Sequence, residues 1–167
     1  AYLSAGNPER SGKYVALGLF FGAIGDVVLE LNYFVPGLIA FLIGHLFYIF
    51  AFLQEERRLL LIRAFPALSY ITILMLLCLP HTGPMTVPVG AYGLVIGTML
   101  WRAMARLGGH PLAWLGVLGA ISFAFSDSMI AINKFVVPLP EIHPIIMLTY
   151  WLGQGLMTFS IPFKDHS

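Results

Sequence analysis

The stretch Tyr33–Leu53 reads YFVPGLIAFLIGHLFYIFAFL. It carries no formal charge, and as a helix rising ~1.5 Å per residue it covers the ~30 Å hydrocarbon core of a bilayer. The chain holds five more runs of similar length and character: Tyr14–Leu31, Leu61–Leu79, Val87–Leu107, Leu112–Asn133 and His143–Pro162. With 59% hydrophobic and only 10% charged residues among 167, it lacks the polar surface a water-soluble domain needs. The expected fold is all-α: a polytopic bundle of about six transmembrane helices, forming a single integral membrane domain over residues 1–167.

The connections between runs are short, from Asn32 at the first turn to Pro138-Leu139-Pro140-Glu141 at the last. Sequential helices are therefore expected as antiparallel neighbours. Cytoplasmic loops are enriched in lysine and arginine. An inside N-terminus puts Arg10, Lys13, Arg57, Arg58, Arg63, Arg102, Arg106 and Lys164 on the cytoplasmic side and only Lys134 on the other, so both termini are expected in the cytoplasm. A net charge of +1 gives no basic field to gather nucleic acid, which is excluded as a partner. Cys78 stands alone in an apolar run and reads as a small buried hydrophobe. The first run has no small-residue cleavage site behind it, so no signal peptide is expected.

Ionisable groups at membrane depth are costly and usually face a protein-lined cavity. Asp26 and Asp127 fall at matching depth in the non-cytoplasmic half of their helices, where they could face one another. Gly18, Gly22, Asp26 and Glu30 follow at four-residue spacing, a groove of small residues leading to two carboxylates. Gly93/Gly97 repeats the small-residue spacing, and close helix packing is its reading. Asp127 and Lys134 share a side of the fifth run, Tyr150, Gln154 and Thr158 form a polar stripe on the sixth, and His45 has Tyr48 one turn on. These groups read either as a site or as hydrogen-bonding glue between helices.

No Gly-rich phosphate loop, Gly-x-Ser-x-Gly elbow or His-Glu-x-x-His is present. A metal site built from His45, His81, His110 and His143 would need ligands from opposite sides of the membrane, so neither metal nor cofactor is expected.

Four phrases in order, Gly25-Asp26-Val27-Val28-Leu29, Gly44-His45-Leu46-Phe47-Tyr48, Phe125-Ser126-Asp127 and Tyr150-Trp151-Leu152-Gly153-Gln154, resemble the signature positions of the YhhN-like, lysoplasmalogenase family of membrane proteins. The resemblance runs from about Tyr14 to Phe163. Members of that family typically have about eight spans, so two helices would be missing at the front of this chain. The resemblance implies a multi-pass protein of the bacterial inner (cell) membrane that cleaves the vinyl ether bond of lysoplasmalogen-type lysophospholipids. The products would be a fatty aldehyde and glycerophosphoethanolamine or glycerophosphocholine.

Such cleavage begins with protonation of carbon and passes through an oxocarbenium ion, the demand that glycosidases meet with two carboxyl groups. Two neighbouring carboxyls share a proton readily, and Asp26 has Glu30 one turn away as a further like charge. The expectation is that Asp26 is the acid and Asp127 the anionic partner. His45, Tyr48, Ser126, Tyr150 and Gln154 would position substrate, with Asn133 or Lys134 available to its phosphate and Glu30 or Glu141 to an amine. The two carboxyls should meet in one cavity opening away from Arg57, Arg58 and Arg102. The competing class is a lipid- or proton-coupled carrier, which would need a path to both faces. Oligomeric state is left open.

Overall fold

Pro8 and Glu9 open the first helix: a proline costs nothing where the first N–H groups have no partner, and an acidic residue suits the positive end of the helix dipole. Glu9 pairs with Lys13 one turn on, at 2.7 Å. The helix thus begins at Pro8 rather than at Tyr14, where its apolar pattern starts. The computed structural model describes residues 8–162, so Lys164 lies outside the described residues. Six helices follow in order: α1 (Pro8–Glu30), α2 (Phe34–Glu55), α3 (Phe65–Cys78), α4 (Thr86–Ala105), α5 (Ala113–Phe135) and α6 (His143–Phe159). Short 3-10 turns flank α3 and precede α4, and there is no strand among the described residues. Five segments are long and apolar enough to cross a membrane: α1, α2 and α5, α3 with its flanking turns, and α4 with the turn before it. The sixth, α6, has 17 residues and reaches about 26 Å, the short end of a spanning helix.

The turn from α1 into α2 is set by Asn32, whose φ of 64° is the left-handed conformation that asparagine tolerates. The Asn32 N–H donates to the Leu29 carbonyl and the Tyr33 N–H to that of Val28, closing the helix with both bonds of a Schellman motif. This reversal lays α2 back along α1 so closely that a Cβ at Gly44 would lie 3.1 Å from the Gly18 carbonyl oxygen. The second tight hairpin is α5–α6, where a Cβ at Gly119 would lie 2.7 Å from both the Gly153 carbonyl oxygen and the Met157 nitrogen. Backbone cannot step aside as a side chain can. Gly119→Ala is therefore expected to cost about 1–3 kcal/mol, read as a lowered melting midpoint in detergent. Gly155→Ala, on the same hairpin but facing open space, should leave the midpoint unchanged.

The Gly93/Gly97 pair does something else: its gaps take the side chains of Met75 and Ile71 from α3.

One neighbour relation departs from the expectation. α2 and α3 are joined by a short loop yet scarcely touch, because α4 packs against both and against α5. Two buried arginines on α4 and its C-cap explain this. Arg106 donates from Nε to Glu55 Oε2 at 2.8 Å, from Nη1 to Ser160 Oγ at 3.0 Å and from Nη2 to the Ser160 carbonyl at 2.7 Å, and it covers the Phe52 ring. Arg102 donates to the carbonyls of Arg58 and Glu56. The end of α2 is thereby tied to α4 and α6, while Arg63 donates to the last carbonyls of α4 and lets α3 swing to the outside. Arg58 closes a fork on Glu56, which holds the Glu56 carboxyl below the usual carboxylate range. Arg57, Arg58, Arg63, Arg102 and Arg106 all gather at this end of the bundle, which is therefore basic and tightly knotted.

Candidate active site

Asp127 sits on the inner face of α5, buried, between α2 and α4. Tyr92 of α4 donates its hydroxyl to Asp127 Oδ2 at 2.8 Å, and His45 Nε2 of α2 lies 3.2 Å from the same oxygen. The other ring nitrogen, His45 Nδ1, is 2.6 Å from the Phe41 carbonyl oxygen. A carbonyl only accepts, so Nδ1 must carry hydrogen. A bare Nε2 opposite an ionised carboxylate would then set two acceptors face to face in a fully buried place, at a cost of kcal/mol order. The pair is relieved by one proton, held either on Asp127 Oδ2 or as the His45 imidazolium. Phe123 and Tyr92 pack edge-on against the imidazole and fix its plane.

Asp26 approaches from α1, beside the Tyr150 hydroxyl of α6. The glycine groove beneath it is filled from two sides: Tyr48 packs on Gly18, while Tyr150 Oη and Gln154 Nε2 fill the gap at Gly22. Tyr48 Oη and Gln154 Nε2 are buried and make no hydrogen bond within the protein, so the α1 side of the site keeps unspent polar groups near its carboxylate.

Both aspartates line one cavity of about 720 Å³ formed by the ends of α1 and α5 and the starts of α2 and α6. Glu30, Ser126, Asn133, Lys134 and Tyr150 line it as well. His45, Tyr48 and Gln154 do not, standing behind the wall as supports. Two of the lining groups are already engaged: Ser126 donates to the Ile146 carbonyl at 2.9 Å, and Asn133 Oδ1 accepts from the Leu139 N–H at 2.7 Å. Glu141, expected beside Glu30, is not in the lining, because its φ of 62° places it in the α5–α6 turn. The cavity lies at the end of the bundle opposite the knotted arginines, as the depth of the aspartates requires.

Three contributors escaped the sequence reading. Tyr92 looked like packing in an apolar run, although a buried tyrosine hydroxyl normally finds a partner. His143, which opens α6, reaches the rim, as does Asn32. Among the described residues, no three His, Cys, Asp or Glu side chains converge as metal ligands would.

A model of the YhhN family matches residues 1–161. Human Lysoplasmalogenase TMEM86A is 39% identical over 161 residues, covering 90% of this chain and 65% of its own length. Human Lysoplasmalogenase TMEM86B is 41% identical over 160 residues, again 90% of this chain and 65% of its own. The Lysoplasmalogenase of Mycobacterium tuberculosis (strain CDC 1551 / Oshkosh) is 31% identical over 166 residues, 89% and 60% respectively. The chain thus spans just under two thirds of the length of these relatives. No solved structure matches it.

Proposed function

The chain belongs to the YhhN family, and from that premise we propose that it is a membrane hydrolase cleaving the vinyl ether bond of lysoplasmalogen-type lysophospholipids. The observation that carries the reading is the 3.2 Å approach of His45 Nε2 to Asp127 Oδ2 at the wall of a cavity that also holds Asp26. Vinyl ether hydrolysis needs one carboxyl to give a proton and one to stay ionised. In this reading Asp127, backed by His45, gives the proton and Asp26 stays ionised, the reverse of the roles expected from sequence.

Asp127 transfers its proton to the alkenyl carbon one removed from oxygen, and the cation that forms on the oxygen-bearing carbon is stabilised by the Asp26 carboxylate. Water adds to that carbon and gives a proton to Asp26. The hemiacetal returns its hydroxyl proton to Asp127 as the carbon–oxygen bond breaks, and the glycerol oxygen takes the proton from Asp26. Aldehyde and glycerophospho-alcohol leave, and both carboxyls are restored. Tyr150 flanks Asp26 in the wall of the cavity from which the water comes. At the mouth, Lys134 and His143 suit the phosphate and Glu30 an amine headgroup. The basic end faces the cytoplasm of the cell membrane, so that the headgroup enters from the other side. A carrier would need a path through the knot of Arg106, Glu55 and Ser160, and the reading draws no support there.

Hydrolysis in heavy water tests the scheme. The expected product is an aldehyde with one deuterium on the carbon next to the carbonyl, trapped before exchange, together with a normal solvent isotope effect. An aldehyde without enzyme-dependent deuterium at that carbon would refute the acid-first route.

A further inference from the structure

A second, apolar space lies beside the polar cavity, lined by α2, α3, α4 and α5 with Leu29 of α1. Leu38, Met75, Gly93, Ile96 and Ala131 are among its walls. It meets the polar cavity at Leu29, Phe34, Phe41, Asp127 and Ile130, which border both, and Asp127 is the one carboxylate in its lining. The two spaces differ in size as well as in chemistry. The slot is small, about 40 Å³ against about 720 Å³ for its neighbour, and its apolar walls suit methylenes and not a headgroup. Two of the helices that wall it, α2 and α3, scarcely touch one another.

We propose that this slot receives the alkenyl chain of the lysolipid, an assignment that rests on the hydrolase reading above. The bond to be cut is the joint between a polar glycerophosphate and a hydrocarbon chain, and Asp127 stands where the polar space gives way to the apolar one. Seating each part of the substrate in the space of its own polarity brings the vinyl ether to the acid without further guidance. The bore is set by Gly93 and Met75: a Cβ at Gly93 would lie 2.8 Å from Met75 Cε, so the flexible thioether already occupies the room glycine leaves, and it is the part of the wall that yields to a chain. The products then part by polarity, the glycerophospho-alcohol through the wide mouth and the aldehyde between α2 and α3 into the bilayer.

The test uses the unsubstituted protein in nanodiscs with a non-hydrolysable 1-O-alkyl lysophosphocholine bearing a diazirine at mid-chain. Photolabel is expected on Leu38, Leu74, Met75 or Ile96, and label confined to the lipid-facing Leu148 and Leu152 of α6 would overturn the assignment. In a parallel binding measurement, Met75→Trp should weaken a long-chain ether (about C16) at least ~10-fold while leaving a short one (about C4) within about twofold, since only the long chain gains from burying methylenes there. Equal binding of the long chain by both proteins would overturn it too. The ligand is not turned over, so slot labelling combined with no aldehyde release from a lysoplasmalogen would sink the hydrolase reading and leave the chain site standing.

Discussion

Asp127→Asn is expected to lower turnover of a lysoplasmalogen about 10³-fold, measured as aldehyde release by the purified protein. The substitution is nearly isosteric, so helical content and melting midpoint should stay near those of the parent. What it removes is the group able to pass a proton to carbon, and general acid catalysis alone contributes about 10²–10⁴-fold. The amide also cannot balance an imidazolium, so His45 loses the partner with which it holds a proton. Tyr92→Phe is the graded control. It deletes one donor to Asp127 Oδ2 but leaves the carboxyl, and about a tenfold loss is expected. An Asp127→Asn protein that turned over at the parent rate would leave this residue as glue between α2, α4 and α5.

Asp26→Asn should cost about 10²-fold, by a different route. An amide cannot neutralise the oxocarbenium ion or accept the proton of the incoming water, yet it can still hydrogen-bond beside Tyr150. Turnover should therefore collapse while binding of the non-hydrolysable alkyl ether, measured on the same protein, stays within about threefold, as for a group needed only once charge develops. Loss of binding in parallel with turnover would mean that Asp26 holds the substrate and does not stabilise the cation.

The membrane helices were legible because lipid enforces long uncharged runs, and Asp26 and Asp127 stood out because an unpaired carboxylate is costly at that depth. What sequence could not supply was the partner across the bundle. Tyr92 meets Asp127 from 35 positions away, and nothing local to Gly90-Ala91-Tyr92-Gly93 distinguishes a hydroxyl bound for a carboxylate from a ring bound for the core. The polarity of the site was hidden for the same reason: His45 alone says nothing, and only its 2.6 Å contact with the Phe41 carbonyl fixes where its hydrogens are. The start of α1 could have been read better, since Pro8 and Glu9 are start signals that the apolar pattern ignores. The separation of α2 from α3 could not, because it depends on Arg106 finding Glu55 and Ser160, contacts more than fifty residues long.

That arginine knot bears on what the bilayer itself experiences. A wet chamber sunk into one half of a membrane leaves a thinner dielectric across the other half, where the field of the transmembrane potential concentrates. Below Asp127 the cross-section is filled by Tyr48, Phe123 and Met157, and beyond them by Arg106 clamped between Glu55 and Ser160. Such a stack separates the chamber from the basic end, so in the proposed reaction the protons come from, and return to, the chamber's own side. On the proposed hydrolase reading the cycle therefore moves no net charge across the membrane, and its rate is expected not to change with voltage.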